Sequence, residues 1–257
     1  MKRMICLAAV FLSVAAQAAV KLEPIEYKDG DTLLNGVIAY DDASTAKRPG
    51  IVVVHEWWGI NDHSKNSARK LAEMGYVALA ADMYGKAQYT DDPAAAGKWS
   101  GALKNDRPAL RKRAKAALDA LAAFKYTDPA KLGAIGYCFG GTTALEIARS
   151  GAPVKGVVSF HGGLATPAPA DAKNITCKVL VCHGADDPFV PAAEVAAFKK
   201  EMDDAKVSYQ FVAYPGAQHS FTNPDVDRHG LKGAKYDAAA AEKSWADMTA
   251  FFSAVFK

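Results

Sequence analysis

An α/β fold built around a mostly parallel sheet is what this sequence of 257 residues predicts. Three observations carry it. Short, continuous apolar runs recur along the chain, stretches of helical periodicity separate them, and only the first strands alternate like a half-exposed hairpin. Half of the residues are hydrophobic and 23% are charged, with 20 Gly and 12 Pro, which excludes a disordered, collagenous or low-complexity chain. The length suffices for one large core. A formal net charge of +3 is too small to make nucleic acid the default partner.

At the start, Lys2 and Arg3 precede an apolar run from Met4 to Ala16, and Ala16-Gln17-Ala18 matches a small-x-small cleavage site. The run falls short of the roughly 20 residues that a membrane span needs. A cleavable signal peptide over 1–18, a single domain over 19–257 and a periplasmic or secreted destination are therefore expected. No later segment is long and apolar enough to suggest a membrane partner.

Residues 22–41 alternate and break at Lys28-Asp29-Gly30-Asp31, which predicts an antiparallel hairpin. The continuous apolar runs follow at 51–54, 76–80, 132–136, 156–160, 178–181 and 207–212. Residues 84–105 are the least regular and predict part of a rim or lid. Asp106 can cap a helix that has Pro108 in its first turn and Leu110, Ala114, Ala117, Leu118, Leu121 and Phe124 on one stripe. Arg111, Lys112, Arg113 and Lys115 lie mostly off that stripe and predict a solvated face. A last helix is expected from Tyr236 to Val255.

Of the four cysteines, Cys6 lies in the expected signal peptide. Cys177 and Cys182 end one apolar run. Five strand steps of about 3.3 Å put them roughly 16 Å apart on opposite faces, beyond disulfide reach. Both read as buried small hydrophobes.

Cys138 is different. It stands in Gly136-Tyr137-Cys138-Phe139-Gly140-Gly141, after an apolar run and before a helical stretch, the arrangement of a nucleophile elbow. The turn is tight, so glycines flank the nucleophile. A helix N-terminus behind the thiol favours thiolate, and the amide of Phe139 is placed to meet a developing oxyanion. Asp186-Asp187 follows the run at 178–181, and His219 follows the run at 207–212. Nucleophile, acid and histidine thus come in the order of an α/β-hydrolase, each at a strand end. His55-Glu56 lacks the second histidine of H-E-x-x-H because Gly59 stands there, and His63, His161, His183 and His229 have no metal-ligand spacing. No metal is expected.

With Asp187-Pro-Phe-Val-Pro191, His219-Ser-Phe221 and His55-Glu-Trp-Trp-Gly59, the chain resembles the dienelactone hydrolase family from Leu33 to Phe256. The resemblance implies an eight-stranded α/β-hydrolase sheet, hydrolysis of an ester or lactone, and no cofactor. It implies Cys138 as nucleophile, His219 as base and acid, and Asp187, with Asp186 as rival, as the carboxylate that orients it. Glu56 matches the family's glutamate that contacts the thiol, and the amide of Trp57 would be the second oxyanion donor. Members acting on dienelactone hold its carboxylate with two arginines, where this sequence has Lys86 and Asn223. Those two residues and Trp58 are the expected substrate contacts.

The sequence thus predicts an exported, cysteine-dependent hydrolase whose partner is a small ester or lactone; it leaves the oligomeric state open, with a monomer favoured. The alternative is a non-hydrolytic protein of the same fold, using Cys138 as a redox sensor or the pocket for small-molecule binding.

Overall fold

Strands that are apolar along their whole length must be covered on both faces, and the arrangement of this chain follows from that need. In a computed structural model, residues 20–257 are described. The expected signal peptide lies outside the described residues. The strands are β1 (Val20–Asp29), β2 (Thr32–Asp41), β3 (Arg48–Val54), β4 (Val77–Ala81), β5 (Thr127–Tyr137), β6 (Gly156–Phe160), β7 (Lys178–Gly184) and β8 (Tyr209–Tyr214). They form one sheet in the order β1-β2-β4-β3-β5-β6-β7-β8. The β1–β2 and β2–β4 pairs are antiparallel, and all the others are parallel.

The helices are α1 (Asp62–Glu73), α2 (Pro93–Asn105), α3 (Arg107–Ala123), α4 (Phe139–Arg149), α5 (Ala192–Asp204) and α6 (Ala238–Val255). Val52 and Val54 of β3 pack into the core under α3, α4 and α5, while Ile51 and Val53 pack into the core under α1 and α6. The period-2 geometry of a strand sends neighbouring residues to opposite layers. It also separates Cys177 from Cys182: both are buried, one in each core.

Two expectations change. Residues 93–105 are helical rather than irregular. Asp92 accepts the N–H groups of Ala94 and Ala95, and Pro93 occupies the first turn, where its missing N–H costs nothing. The basic face of α3 is not wholly solvated either. Arg111 pairs with Glu146 and Asp171, and Arg113 pairs with Asp29 and donates to the Met83 carbonyl. The flanks of α3 abut α4 and the β1–β2 turn, which periodicity along one helix could not reveal. Lys112 and Lys115 do remain largely in water. Among the described residues, no helix is long and apolar enough to cross a membrane.

Candidate active site

Cys138 caps α4 directly after β5, at φ 54° and ψ −112°. A non-glycine residue at positive φ is strained and persists only where its surroundings fix it. Here the surroundings are close. A Cβ on Gly136 would stand 2.0 Å from the Gly140 carbonyl oxygen, and one on Gly140 would stand 2.2 Å from that of Val54. The turn therefore presses against β3 with no room for side chains at either position.

The Cys138 N–H points back into the fold, toward the Phe160 carbonyl at 3.0 Å and Nδ1 of His161 at 3.1 Å. Since Nδ1 accepts, the ring proton of neutral His161 sits on Nε2, which donates to Thr222 Oγ1 at 2.8 Å. Burial, with His219 and His63 nearby, holds the pKa of His161 well below its ordinary value. The N–H groups of Phe139 and Trp57 find no backbone acceptor among the described residues. Both residues line the same cavity as Cys138.

His219 follows β8 and is held by its own backbone, which bonds to Gly233 and Lys235. Its Nδ1 meets Asp187 Oδ2 at 2.7 Å, and the other Asp187 oxygen accepts the Phe189 N–H at 2.9 Å. Asp186 is exposed, and its N–H is bonded to Ala217, so the rival acid stands apart. On its free side His219 lines the same cavity as Cys138, close enough for the thiol to act on the titration of the ring. Burial alone would lower the pKa of His219. The charge of Cys138, together with Asp187, outweighs it and pushes the value up to about 10. Cys138, His219 and Asp187 are therefore brought together.

Trp58 lines the Cys138 cavity as expected, but Glu56, Asn223 and Lys86 are placed differently. Both oxygens of buried Glu56 are taken, one by Ser220 Oγ at 2.8 Å and the other by Asn223 Nδ2 at 2.5 Å, with His63 3.9 Å away. Glu56 is thus held by the loop after His219, and neither oxygen is hydrogen-bonded to the thiol. Asn223, expected at the substrate, is 1% exposed and outside the Cys138 cavity. It positions Glu56 instead. Lys86 is also outside the cavity. The carboxylate of Asp82 gathers the N–H groups of Asn35, Tyr84, Gly85 and Ala87, and Lys86 donates its own N–H to Leu33. That turn carries Lys86 toward β2.

The Cys138 cavity encloses about 600 Å3. Trp57, Trp58, Phe139 and Phe189 form aromatic walls, with Trp58 stacked on His229 at 4.0 Å. Its cations are Lys104, Arg107 and Lys232. Glu194, the carboxylate on the wall, is occupied by the N–H groups of Leu164 and Ala165. Sequence reasoning missed His161, Ser220, Thr222 and these cations. Only His161, directly after an apolar run, stood where the strand-end rule could have found it. Among the described residues, no group of His, Cys, Asp and Glu is arranged to hold a metal ion.

The family model for the dienelactone hydrolase family matches residues 34–256. Among relatives, protein usf of Aquifex pyrophilus is 31% identical over 225 residues, covering 85% of this chain and 94% of its own. An Aquifex aeolicus protein provisionally named carboxymethylenebutenolidase is 30% identical over 230 residues, covering 87% and 96%. A solved structure described as a dienelactone hydrolase-like promiscuous phosphotriesterase from metagenomic libraries is 45% identical, with a TM-score of 0.90. The match covers 93% of this chain and all of that one. A Klebsiella pneumoniae structure at 23% identity and a TM-score of 0.77 shares the fold. The chain belongs to the dienelactone hydrolase family, with that family's eight-stranded α/β-hydrolase sheet, and is a hydrolase of esters or lactones.

Proposed function

We propose that Cys138, His219 and Asp187 act as a catalytic triad in an exported esterase or lactonase. The observation that carries this is the His219 ring, bonded to Asp187 through Nδ1 and lining the same cavity as the Cys138 thiol, whose charge raises its pKa. A histidine with its pKa raised to about 10 is charged at neutral pH and stabilises a thiolate beside it.

The thiolate sulfur attacks the carbonyl carbon and pushes the carbonyl electron pair onto oxygen, where the Phe139 and Trp57 amides receive it. Collapse breaks the bond to the leaving oxygen, which takes the proton of His219. The ring, now neutral, accepts a proton from water. The hydroxide attacks the thioester and releases the acid, and the thiolate–imidazolium pair is restored. Asp187 keeps the Nδ1–H tautomer throughout. The aromatic cavity accepts the body of the substrate. Export is proposed from the sequence features of residues 1–18.

The test compares purified wild type with Cys138→Ala on dienelactone and on a neutral p-nitrophenyl ester. Cys138-dependent turnover with a stoichiometric acyl burst supports the reading, and the preferred substrate fixes ester or lactone. Turnover by Cys138→Ala would overturn the nucleophile assignment. Peroxide oxidation of Cys138 without turnover would favour the redox reading. A phosphotriester substrate belongs in the same panel, given the activity described for the 45% identical structure. Fractionation of expressing cells, with N-terminal sequencing for a start at Ala19, tests export.

A further inference from the structure

We infer that His161 is a positioning residue, which sets the Cys138 thiol against the His219 ring by tying the nucleophile turn to the loop that carries the base. The inference rests on the reading of Cys138 and His219 as nucleophile and base.

The connection runs through one ring. On one side, Nδ1 accepts the Cys138 N–H at 3.1 Å. On the other, Nε2 donates to Thr222 Oγ1 at 2.8 Å, three residues beyond His219. The ring is fully buried and packs edge-on against both His219 and Phe221, with centroids 5.3 Å apart in each case. Its backbone is itself constrained, with φ at 40° and the N–H donated to the Cys182 carbonyl at 2.8 Å. A residue held in the left-handed region at the end of β6 delivers its ring between two loops that are otherwise separate in sequence. The Cys138 N–H keeps the Phe160 carbonyl as a second acceptor at 3.0 Å, so what the ring adds is the tie from that turn to Thr222.

Together with the Phe160 carbonyl at 3.0 Å, the bridge also keeps the Cys138 N–H turned away from the cavity. Because the Cys138 N–H is bonded inward, the amides left free at the cavity are those of Phe139 and Trp57. The groups facing His161 are neutral Tyr137 and Phe221, with His219 and His63 as the titrating neighbours. A second charge beside protonated His219 would be repelled, so the neutral ring suits a base that must carry a proton.

The experiment uses His161→Asn, His161→Phe and Thr222→Val beside wild type and Cys138→Ala. Asn tolerates positive φ, and its Oδ1 can take the place of Nδ1. Phe keeps a ring but removes both bonds, and Val removes only the far one. Two quantities are read: kcat and KM per alkylatable Cys138 on a neutral p-nitrophenyl ester, and the pH profile of Cys138 alkylation by iodoacetamide. Misalignment of reacting groups by about 1 Å costs on the order of 100-fold in rate. His161→Phe is expected to lose about that much in kcat with little change in KM, and to move the alkylation profile to higher pH. Thr222→Val should shift both in the same direction by less, and His161→Asn should recover most of the rate.

If His161→Phe does not fold, Thr222→Val decides. Wild-type kcat per thiol and an unchanged alkylation profile in the variants that fold would overturn the inference, even with lowered melting temperatures. Turnover by Cys138→Ala would instead sink the nucleophile reading, so the two failures are distinguishable.

Discussion

Asn223 donates from Nδ2 to Oε2 of Glu56 at 2.5 Å, and this bond fastens the loop after β3 to the loop after β8. Ser220 takes the other carboxylate oxygen, so Glu56 is a buried anion with both oxygens occupied. Its partners stand one and four residues beyond His219. The carboxylate therefore fixes the segment that carries the base, and Asn223 is committed to the protein rather than to a substrate.

The cost of breaking that bond can be measured. Asn223→Ala leaves Oε2 buried without a donor, and removing a hydrogen bond to a charged group costs about 1.5–3 kcal/mol. Urea unfolding should show a loss of that size with an unchanged m-value. Asn223→Arg should not raise the relative rate on carboxylated over neutral esters, because residue 223 does not line the Cys138 cavity. A selective gain on the carboxylated ester would contradict this placement.

Asp187 is expected to matter through the tautomer and charge of His219. In Asp187→Asn the amide replaces the carboxylate 2.7 Å from Nδ1, and kcat should fall by about two to four orders of magnitude. Stability should respond to pH as well. The pKa of His219 is raised from its ordinary 6.5 to about 10, so its stabilising contribution is complete below 6.5 and is lost as pH rises through 10. The difference in melting temperature between wild type and His219→Gln should therefore shrink across that interval. A gap that widens with pH would refute the assignment.

The sheet could be read from the sequence because its strands are continuous apolar runs, and Cys138, Asp187 and His219 could be read because each follows such a run. Lys86 and Asn223 could not be placed in that way. Their positions depend on loop geometry, in the first case on how Asp82 gathers four backbone amides, and in the second on a buried carboxylate distant in sequence. The helix over 93–105 was hidden because it is short of large apolar residues and buries only Ala96 and Ser100. His161 was visible as a residue but not as a bridge, since both its partners are contacts between loops.

The nucleophile helix α4 ends in a fully buried Arg149, bonded to Glu146 at 3.0 Å, to both oxygens of Glu201 at 2.8 Å, and to the Leu164 carbonyl. Arg149→Ala removes one partner of a buried ion cluster, strands Glu201 and leaves Glu146 to Arg111 alone, a change that costs about 3–5 kcal/mol. Chemical denaturation should show that loss, while kcat per active site in the folded fraction stays near wild type. A loss below about 1 kcal/mol would mean that water or rearranged side chains satisfy Glu201.

Charge selection by the cavity should follow its wall. Lys104, Arg107 and Lys232 line it, whereas Lys86 and Asn223 do not. Arg107 spends one N–H on the Ala165 carbonyl at 3.2 Å, and its Nε and Nη1 have no partner. Burial already lowers its pKa, so the guanidinium is poorly solvated and gains from an anion. Glu194 does not neutralise it, being held by two backbone amides. The matched pair is p-nitrophenyl butyrate and mono-p-nitrophenyl glutarate, which share a leaving group and differ in a terminal carboxylate. Arg107→Gln should lower kcat/KM for the glutarate relative to the butyrate by about tenfold, which corresponds to about 1.4 kcal/mol. Lys86→Gln should leave that ratio unchanged. If Lys86→Gln moves the ratio and Arg107→Gln does not, the carboxylate binds on the β2 side, and the loop at 82–87 must rearrange to reach it.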